Sequence, residues 1–272
     1  MAFDIEAVTR ILEETAAEEI LPRFQALRDD EIREKRGGEL VTIADVEAEK
    51  TISRRLLDLL PGSHVVGEEA TAADPGNLER LLDRDPVWVV DPIDGTGNFA
   101  RGRPVFAVMA GLVRDGETAA AWIHYPVQGR SATAERGAGA WLAGRRLRVA
   151  APAGLREMRG TLHAGIFARP ELARCVRARR DRVGAIRSLS CAGHEYLRLA
   201  TAQTHFSLFT KLMPWDHVPG TLIHREAGGV ACTLDGTSYG GRSYRAPGLL
   251  IAPDEASWRA LHEALFGAPG GG

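Results

Sequence analysis

Apolar residues recur along this chain with two different periods, and the places where one gives way to the other outline its elements. Ile5, Val8 and Leu12, then Ile20, Phe24 and Leu27, recur at helical spacing and predict a helix over residues 3–28. Ile43, Val46, Ile52, Leu56, Leu57 and Leu60 predict a second helix over 42–60, stopped by Pro61-Gly62. His64-Val65-Val66 reads as a short strand that runs into Gly67-Glu68-Glu69. Residues 70–80 are polar, contain Pro75-Gly76 and read as a surface loop before a strand at Val87–Val90. Short strands with Gly-rich turns follow at Phe106–Val113, Ala119–His124, Arg130–Glu135 and Arg146–Val149, a pattern expected of antiparallel neighbours.

The second half alternates. Extended stretches are expected at Leu162–Ile166, Ala185–Ser188, Phe206–Phe209 and Leu249–Ala252. Helices are expected at Glu171–Arg180, Gly193–Ala202, Asp216–Ala227 (ended by Gly228-Gly229) and Glu255–Leu265, with a frayed end after them. Strands grouped early, then alternating with helices, argue for an α/β (α+β) layered architecture with at least one mixed sheet. We expect one compact unit of two halves, residues 1–150 and 151–272.

Composition narrows the function classes. The chain has 272 residues, 44% hydrophobic and 26% charged, the values of an ordinary globular protein. A net charge of -2 gives no global attraction to nucleic acid or an anionic membrane. No apolar run approaches bilayer length, and the acidic Met-Ala-Phe-Asp-Ile-Glu start is not a signal peptide. Three scattered cysteines without CxxC spacing point to a reducing compartment, hence a cytoplasmic location, with neither a disulfide framework nor a zinc site.

The candidate chemistry sits where apolar segments end. The Val87–Val90 strand stops at Asp91-Pro-Ile-Asp94-Gly95-Thr96. Two carboxylates on a rigid turn, followed by Gly-Thr, offer oxygen ligands to a hard cation and free backbone N–H groups to an anion. Glu68-Glu69 and Asp216 are the other acidic ends. Oxygen-only ligands select Mg²⁺ or Mn²⁺ before zinc. The competing readings are solvated loop acids for Glu68-Glu69 and a helix N-cap for Asp216. The eight histidines show no metal-ligand spacing, and the arginines between Arg174 and Arg187 read as a solvated helix face.

These motifs, in this order, resemble the inositol monophosphatase family of Mg²⁺-dependent, lithium-sensitive phosphatases. The resemblance runs through Lys35–Asp45, Gly67-Glu68-Glu69, Asp91–Thr96 with Asn98-Phe99, Arg136–Gly144 and Trp215–Gly229. It implies an α-β-α-β-α layered fold, a homodimer and two or three Mg²⁺ ions. By the same resemblance, Glu68, Asp91, the carbonyl of Ile93, Asp94 and Asp216 are metal ligands. Thr96, Asp45 and Glu68 orient the attacking water, and the Gly95 and Thr96 N–H groups hold phosphate beside Asp94. The substrate is implied to be a small polyol- or sugar-like phosphate ester. Substrate-facing positions are Ala192, Phe209 and Lys211. Phe209 replaces the glutamate with which inositol-active members bind a sugar hydroxyl, so fructose bisphosphate, histidinol phosphate and nucleotide phosphates are alternative substrates. A non-catalytic, RNA-associated role on the same fold is the alternative from another class.

Overall fold

The computed structural model describes residues 4–35, 38–163 and 169–267. The first helix, α1 (Ile5–Thr15), is capped by the Asp4 carboxylate. The helical path continues to Arg23, first as a π-turn over Ala16–Ile20 and then as a 3₁₀ turn. The α-helix therefore ends well before the expected residue 28. Pro22 explains this, since it lacks the N–H that the preceding turn would bond.

A hairpin follows, β1 (Ile32–Glu34) and β2 (Leu40–Thr42), which the apolar pattern does not announce. Next come α2 (Ile43–Leu59), β3 (His64–Gly67) and α3 (Glu68–Ala73). The expected 70–80 loop is instead the end of α3 and a 3₁₀ turn over Pro75–Leu82. A distant residue makes that helix: the buried Glu49 carboxylate accepts from the N–H groups of Glu69 (2.7 Å) and Ala70 (2.8 Å). Such capping from elsewhere in the chain leaves no local sequence signal.

The chain then runs through β4 (Val87–Asp94), α4 (Thr96–Ala100), β5 (Ala107–Arg114), β6 (Glu117–Tyr125) and β7 (Arg130–Glu135). The strand expected at Arg146–Val149 is displaced: β8 (Gly139–Leu142) and β9 (Arg145–Arg146) form a hairpin about Ala143-Gly144, both at positive φ. The second half contains β10 (Arg159–Leu162), α5 (Pro170–Arg179), β11 (Gly184–Ile186), α6 (Ala192–Ala200) and β12 (Phe206–Phe209). It closes with α7 (Pro214–Glu226), β13 (Val230–Thr233), β14 (Leu249–Ala252) and α8 (Glu255–Phe266). The expected strand at Leu162–Ile166 is shifted upstream into β10, and its remainder and the C-terminal tail lie outside the described residues. The strand β13 was missed because two glycines separate it from a long helix.

Besides the two-stranded β1–β2 sheet, the described residues form a seven-stranded sheet in the order β3-β4-β5-β6-β7-β8-β9 and a five-stranded one in the order β11-β10-β12-β14-β13. The first is antiparallel except for β3–β4; the second is parallel across β11-β10-β12 and antiparallel beyond.

Strand parity explains the layers. Trp88, Val90, Val108, Ala110 and Trp122 face α1 and α2. Their neighbours Val87, Val89, Met109 and Ile123 face α6 and α7, whose other side meets Phe209, Leu249 and Ile251 of the second sheet. The opposite face of that sheet, Phe206, Leu208 and Leu250, packs on Val176 of α5 and on Trp258, Leu261 and Leu265 of α8. The order is α-β-α-β-α, and the core spanning the middle layer contains residues of both halves of the chain.

Candidate active site

In a regular strand, residues three apart point to opposite faces. Asp91 and Asp94 do not, because the β4–β5 register shifts between them, where Asp91 pairs with Met109 and Asp94 with Ala107. Pro92 contributes to that break, since it has no N–H for a ladder. Both carboxylates then face the middle layer, where Asp216 arrives on the first turn of α7. One oxygen from each of Asp91, Asp94 and Asp216 lies within 4.8 Å of the others. Asp216 is not the N-cap that local reading favours. Met213 holds that position, and Asp216 sits inside the helix with its side chain turned to the cluster.

Burial raises the pKa of Asp91, and the charges of Glu68, Asp94 and Asp216 raise it further. Asp216 is raised by burial and then by Asp94 and Glu68. Burial also raises Asp94, but hydrogen bonds from Cys191, Gly193 and Ala192 work against the shift. Asp91 Oδ1 is buried without a hydrogen-bond partner. A buried carboxylate oxygen without a partner, among three converging carboxylates, is what a hard divalent cation satisfies, so these residues fit such an ion.

The turn after Asp94 is built around one glycine. Gly95 has φ +90°, and a Cβ there would lie 2.9 Å from the Val105 carbonyl oxygen. It opens α4, whose first N–H groups have no carbonyl behind them. The Thr96 hydroxyl lies 3.0 Å from both Asp45 Oδ1 and the Ile93 carbonyl oxygen. Asp45 is fixed in turn, its Oδ2 accepting from the Thr42 N–H (2.7 Å) and hydroxyl (2.6 Å) in the capping box of α2. Burial pushes Asp45 up to about 6, against those hydrogen bonds.

Glu68 stands outside the aspartate cluster. Lys35 bridges it (2.8 Å) and Glu69 (2.6 Å). Burial opposes the Lys35 charge, but the two carboxylates outweigh it and hold the ammonium above its ordinary range. Burial pushes Glu69 up to about 7 despite Lys35.

Ala192 opens α6, and its N–H (3.0 Å) and that of Gly193 (2.6 Å) donate to the Asp94 carboxylate. The Cys191 thiol also donates to it, at 2.8 Å. Burial and the Asp94 charge raise the pKa of that thiol, which keeps it a donor. A Cβ on Gly193 would meet the Ala107 methyl at 2.9 Å, so the approach of α6 to Asp94 needs glycine there. Phe209 is buried at the end of β12, among the rings of His163, Tyr196 and His217. Lys211 is half-exposed and pairs with Glu39. Together with Lys35, Glu68, Met213 and Trp215 these two line a cavity of about 510 Å³.

Sequence reading missed Lys35, Cys191, and a buried network around Glu195 to which His163 belongs. The only signal for Cys191 was its place just before α6. The partners of Lys35 are set by tertiary packing alone. The expected arginine face is present: Arg174, Arg177, Arg180, Arg182 and Arg187 are exposed, while Ala173 and Val176 pack inward. Among the described residues no helix is long and apolar enough to cross a membrane.

A carboxylate cluster at a broken strand end, beside a Gly-Thr turn and within five alternating layers, places the chain among the phosphoric monoester hydrolases of this architecture. The sequence profile of the inositol monophosphatase family matches residues 4–268, and the chain belongs to that family. An inositol-1-monophosphatase of Mesorhizobium japonicum is 32% identical over 245 residues, 89% of this chain and 88% of that protein. A Nus factor SuhB of Xylella fastidiosa is 35% identical over 200 residues, 71% and 68% of the two chains. The solved structure of the extragenic suppressor protein suhB from Bartonella henselae has a TM-score of 0.78 and 27% identity, covering 96% of this chain and 98% of that one.

Proposed function

We propose that this protein hydrolyses a small polyol- or sugar-like phosphate monoester with Mg²⁺, two or three ions per site, and that Mn²⁺ can replace it. The observation that carries this reading is the convergence of Asp91, Asp94 and Asp216, with its partnerless buried oxygen, beside the Gly95–Thr96 turn. Those three aspartates, with Glu68 and the Ile93 carbonyl, would hold the ions. When bound, the ions supply charge that offsets phosphate and the departing alkoxide, and they lower the pKa of a water.

The chain's own groups do the rest. The N–H groups of Gly95 and Thr96 hold a phosphate oxygen. The Thr96 hydroxyl, engaged with Asp45 and the Ile93 carbonyl, accepts a hydrogen bond from the attacking water and fixes its direction. Asp45 holds the Thr96 hydroxyl in place, and Glu68 takes up the proton that the water loses. The water oxygen bonds to phosphorus, the ester P–O bond breaks opposite it, and the alcohol leaves with a proton drawn from water.

Phe209 offers no polar atom to a sugar hydroxyl, so myo-inositol 1-phosphate is a poor fit. A fructose bisphosphate, histidinol phosphate or nucleotide phosphate remains within this reading. A homodimer in the cytoplasm goes with it, and sedimentation measures the former.

A phosphate-release screen over inositol phosphates, sugar bisphosphates, histidinol phosphate and nucleotide phosphates tests the reading. Release that depends on Mg²⁺ and stops with EDTA is expected. Release indifferent to EDTA, or none from any ester, overturns it.

The SuhB relative favours a second reading, an RNA-associated role with the exposed arginines of α5 as contact. RNA binding that persists without Mg²⁺, in a protein that turns over no phosphate ester, would select it.

A further inference from the structure

Helix α2 carries two buried carboxylates one turn apart, and each reaches a different part of the site. Asp45 takes the Thr96 hydroxyl at 3.0 Å. Glu49, four positions on and so on the same face, is only 5% exposed. Its two oxygens accept from the N–H groups of Glu69 (2.7 Å) and Ala70 (2.8 Å), the second and third residues of α3. Gly67 stands at the N-cap position of α3 and has no side chain to do this. A helix of six residues does not hold itself in water, so the carboxylate from α2 is what fixes its first turn.

Glu68 is the first residue of that helix, and it is held from both directions. Behind it, β3 runs parallel to β4 and ends with Gly67 opposite Val90, the residue before Asp91. Ahead of it, Glu49 takes the two N–H groups that follow. Without the second hold, the chain leaving the sheet could swing. The Glu68 carboxylate, whose charge acts on Asp91 and Asp216, would swing with it. Gly67 belongs to the same arrangement. Its φ of -97° is open to any residue, so the backbone does not require glycine there. Space does: a Cβ would lie 2.4 Å from Glu49 Cδ and 2.6 Å from both carboxylate oxygens. The glycine before Glu68-Glu69 leaves room for the carboxylate that arrives from α2.

We propose that Glu49 is a positioning residue: by capping α3 it holds Glu68 where that carboxylate meets the cation and the attacking water. One helix then sets both partners of the water, Thr96 through Asp45 and Glu68 through Glu49. Glu49 acts only through the backbone of α3. The part given to Glu68 rests on the phosphatase reading above.

The test measures Mn²⁺ binding by electron paramagnetic resonance, and kinetics on whichever ester of the phosphate-release screen is cleaved fastest. Both are run at about pH 8, above the value of about 7 to which burial pushes Glu49. Glu49→Gln keeps the shape but accepts through one oxygen only, and Gly67→Ala pushes the carboxylate off α3. Each should weaken Mn²⁺ binding about tenfold and lower kcat about tenfold, with KM for the ester within about twofold. Ile52→Ala removes apolar packing from the same helix and leaves the cap, so it should lose stability without losing Mn²⁺ affinity. Gly67→Ala decides alone if Glu49→Gln does not fold. Unchanged Mn²⁺ affinity in the folded variants, or an equal loss in Ile52→Ala, would overturn the proposal. Weakened Mn²⁺ binding in the variants of a protein that releases no phosphate from any ester would uphold the hold on Glu68 and sink the phosphatase reading instead.

Discussion

The ends of β4 and of β10 treat a buried carboxylate in opposite ways. At β4, Asp91 keeps an oxygen without a partner, and three acids raise one another's pKa. Beside β10, Glu195 is surrounded by donors and its pKa is lowered. The first arrangement is unstable by itself and gains most from a ligand brought from outside. The second already has its hydrogen-bond partners, so its effect passes to the residues it holds. An incomplete polar cluster marks where chemistry is supplied, and a completed one marks where geometry is fixed.

The comparison can be broken from either side. The largest effect belongs to Asp94→Asn, which removes a charge from the incomplete cluster while keeping its shape. Phosphate release should fall roughly a thousandfold or more, and wild-type turnover in steady-state assays would refute the assignment. Phe206→Ala strikes the other sheet, away from both polar sites. A fully buried phenylalanine there should cost about 3–5 kcal/mol in denaturant unfolding. If α5, α8 and their sheet were loosely packed, the loss would be much smaller.

Thr96→Val tests the turn without touching a carboxylate. Loss of the hydroxyl that joins Asp45 to the Ile93 carbonyl should reduce kcat about a hundredfold with little change in KM. A rise in KM alone would make Thr96 a binding group.

The middle layer that joins the two ends should be acid-sensitive. Burial lowers His217 and His224 of α7 to about 4 each. A base with a lowered folded pKa contributes stability above its unfolded value, near 6.5, and loses it as pH falls through about 4. Each shift is worth up to roughly 3 kcal/mol. Between those pH values, His224→Gln should flatten the decline in unfolding free energy, and an unchanged slope would show that His224 does not titrate there. The smallest effect is expected for Cys191→Ser. A hydroxyl can donate to Asp94 as the thiol does, so activity should change by less than about fivefold. A larger loss would mean that sulfur does more than donate.

Much of this was legible in the sequence because it is local. Asp91-Pro-Ile-Asp94-Gly95-Thr96 carries its ligands, its ladder breaker and its left-handed turn within six consecutive positions. Helices α2, α7 and α8 follow from their apolar period and their stop signals. The failures have a common cause. The helix at Glu68–Ala73 exists because Glu49 caps it from twenty positions away. The β1–β2 hairpin has too few apolar residues to show a period. Lys35 meets Glu68 and Glu69, and His163 meets Glu195, across sequence separations of more than thirty residues.

By itself, then, the sequence determined the family, the layered fold and the kind of ligand atoms gathered at the turn, because strand parity, capping and motif spacing act over a few residues. Tertiary structure alone decided which carboxylates meet and which are already satisfied. The register shift in β4 turns Asp94 toward Asp216, Lys35 bridges Glu68 and Glu69, and the Thr161 and Ser188 hydroxyls complete Glu195. Those outcomes depend on burial and on partners far along the chain, and burial is a property of the folded whole.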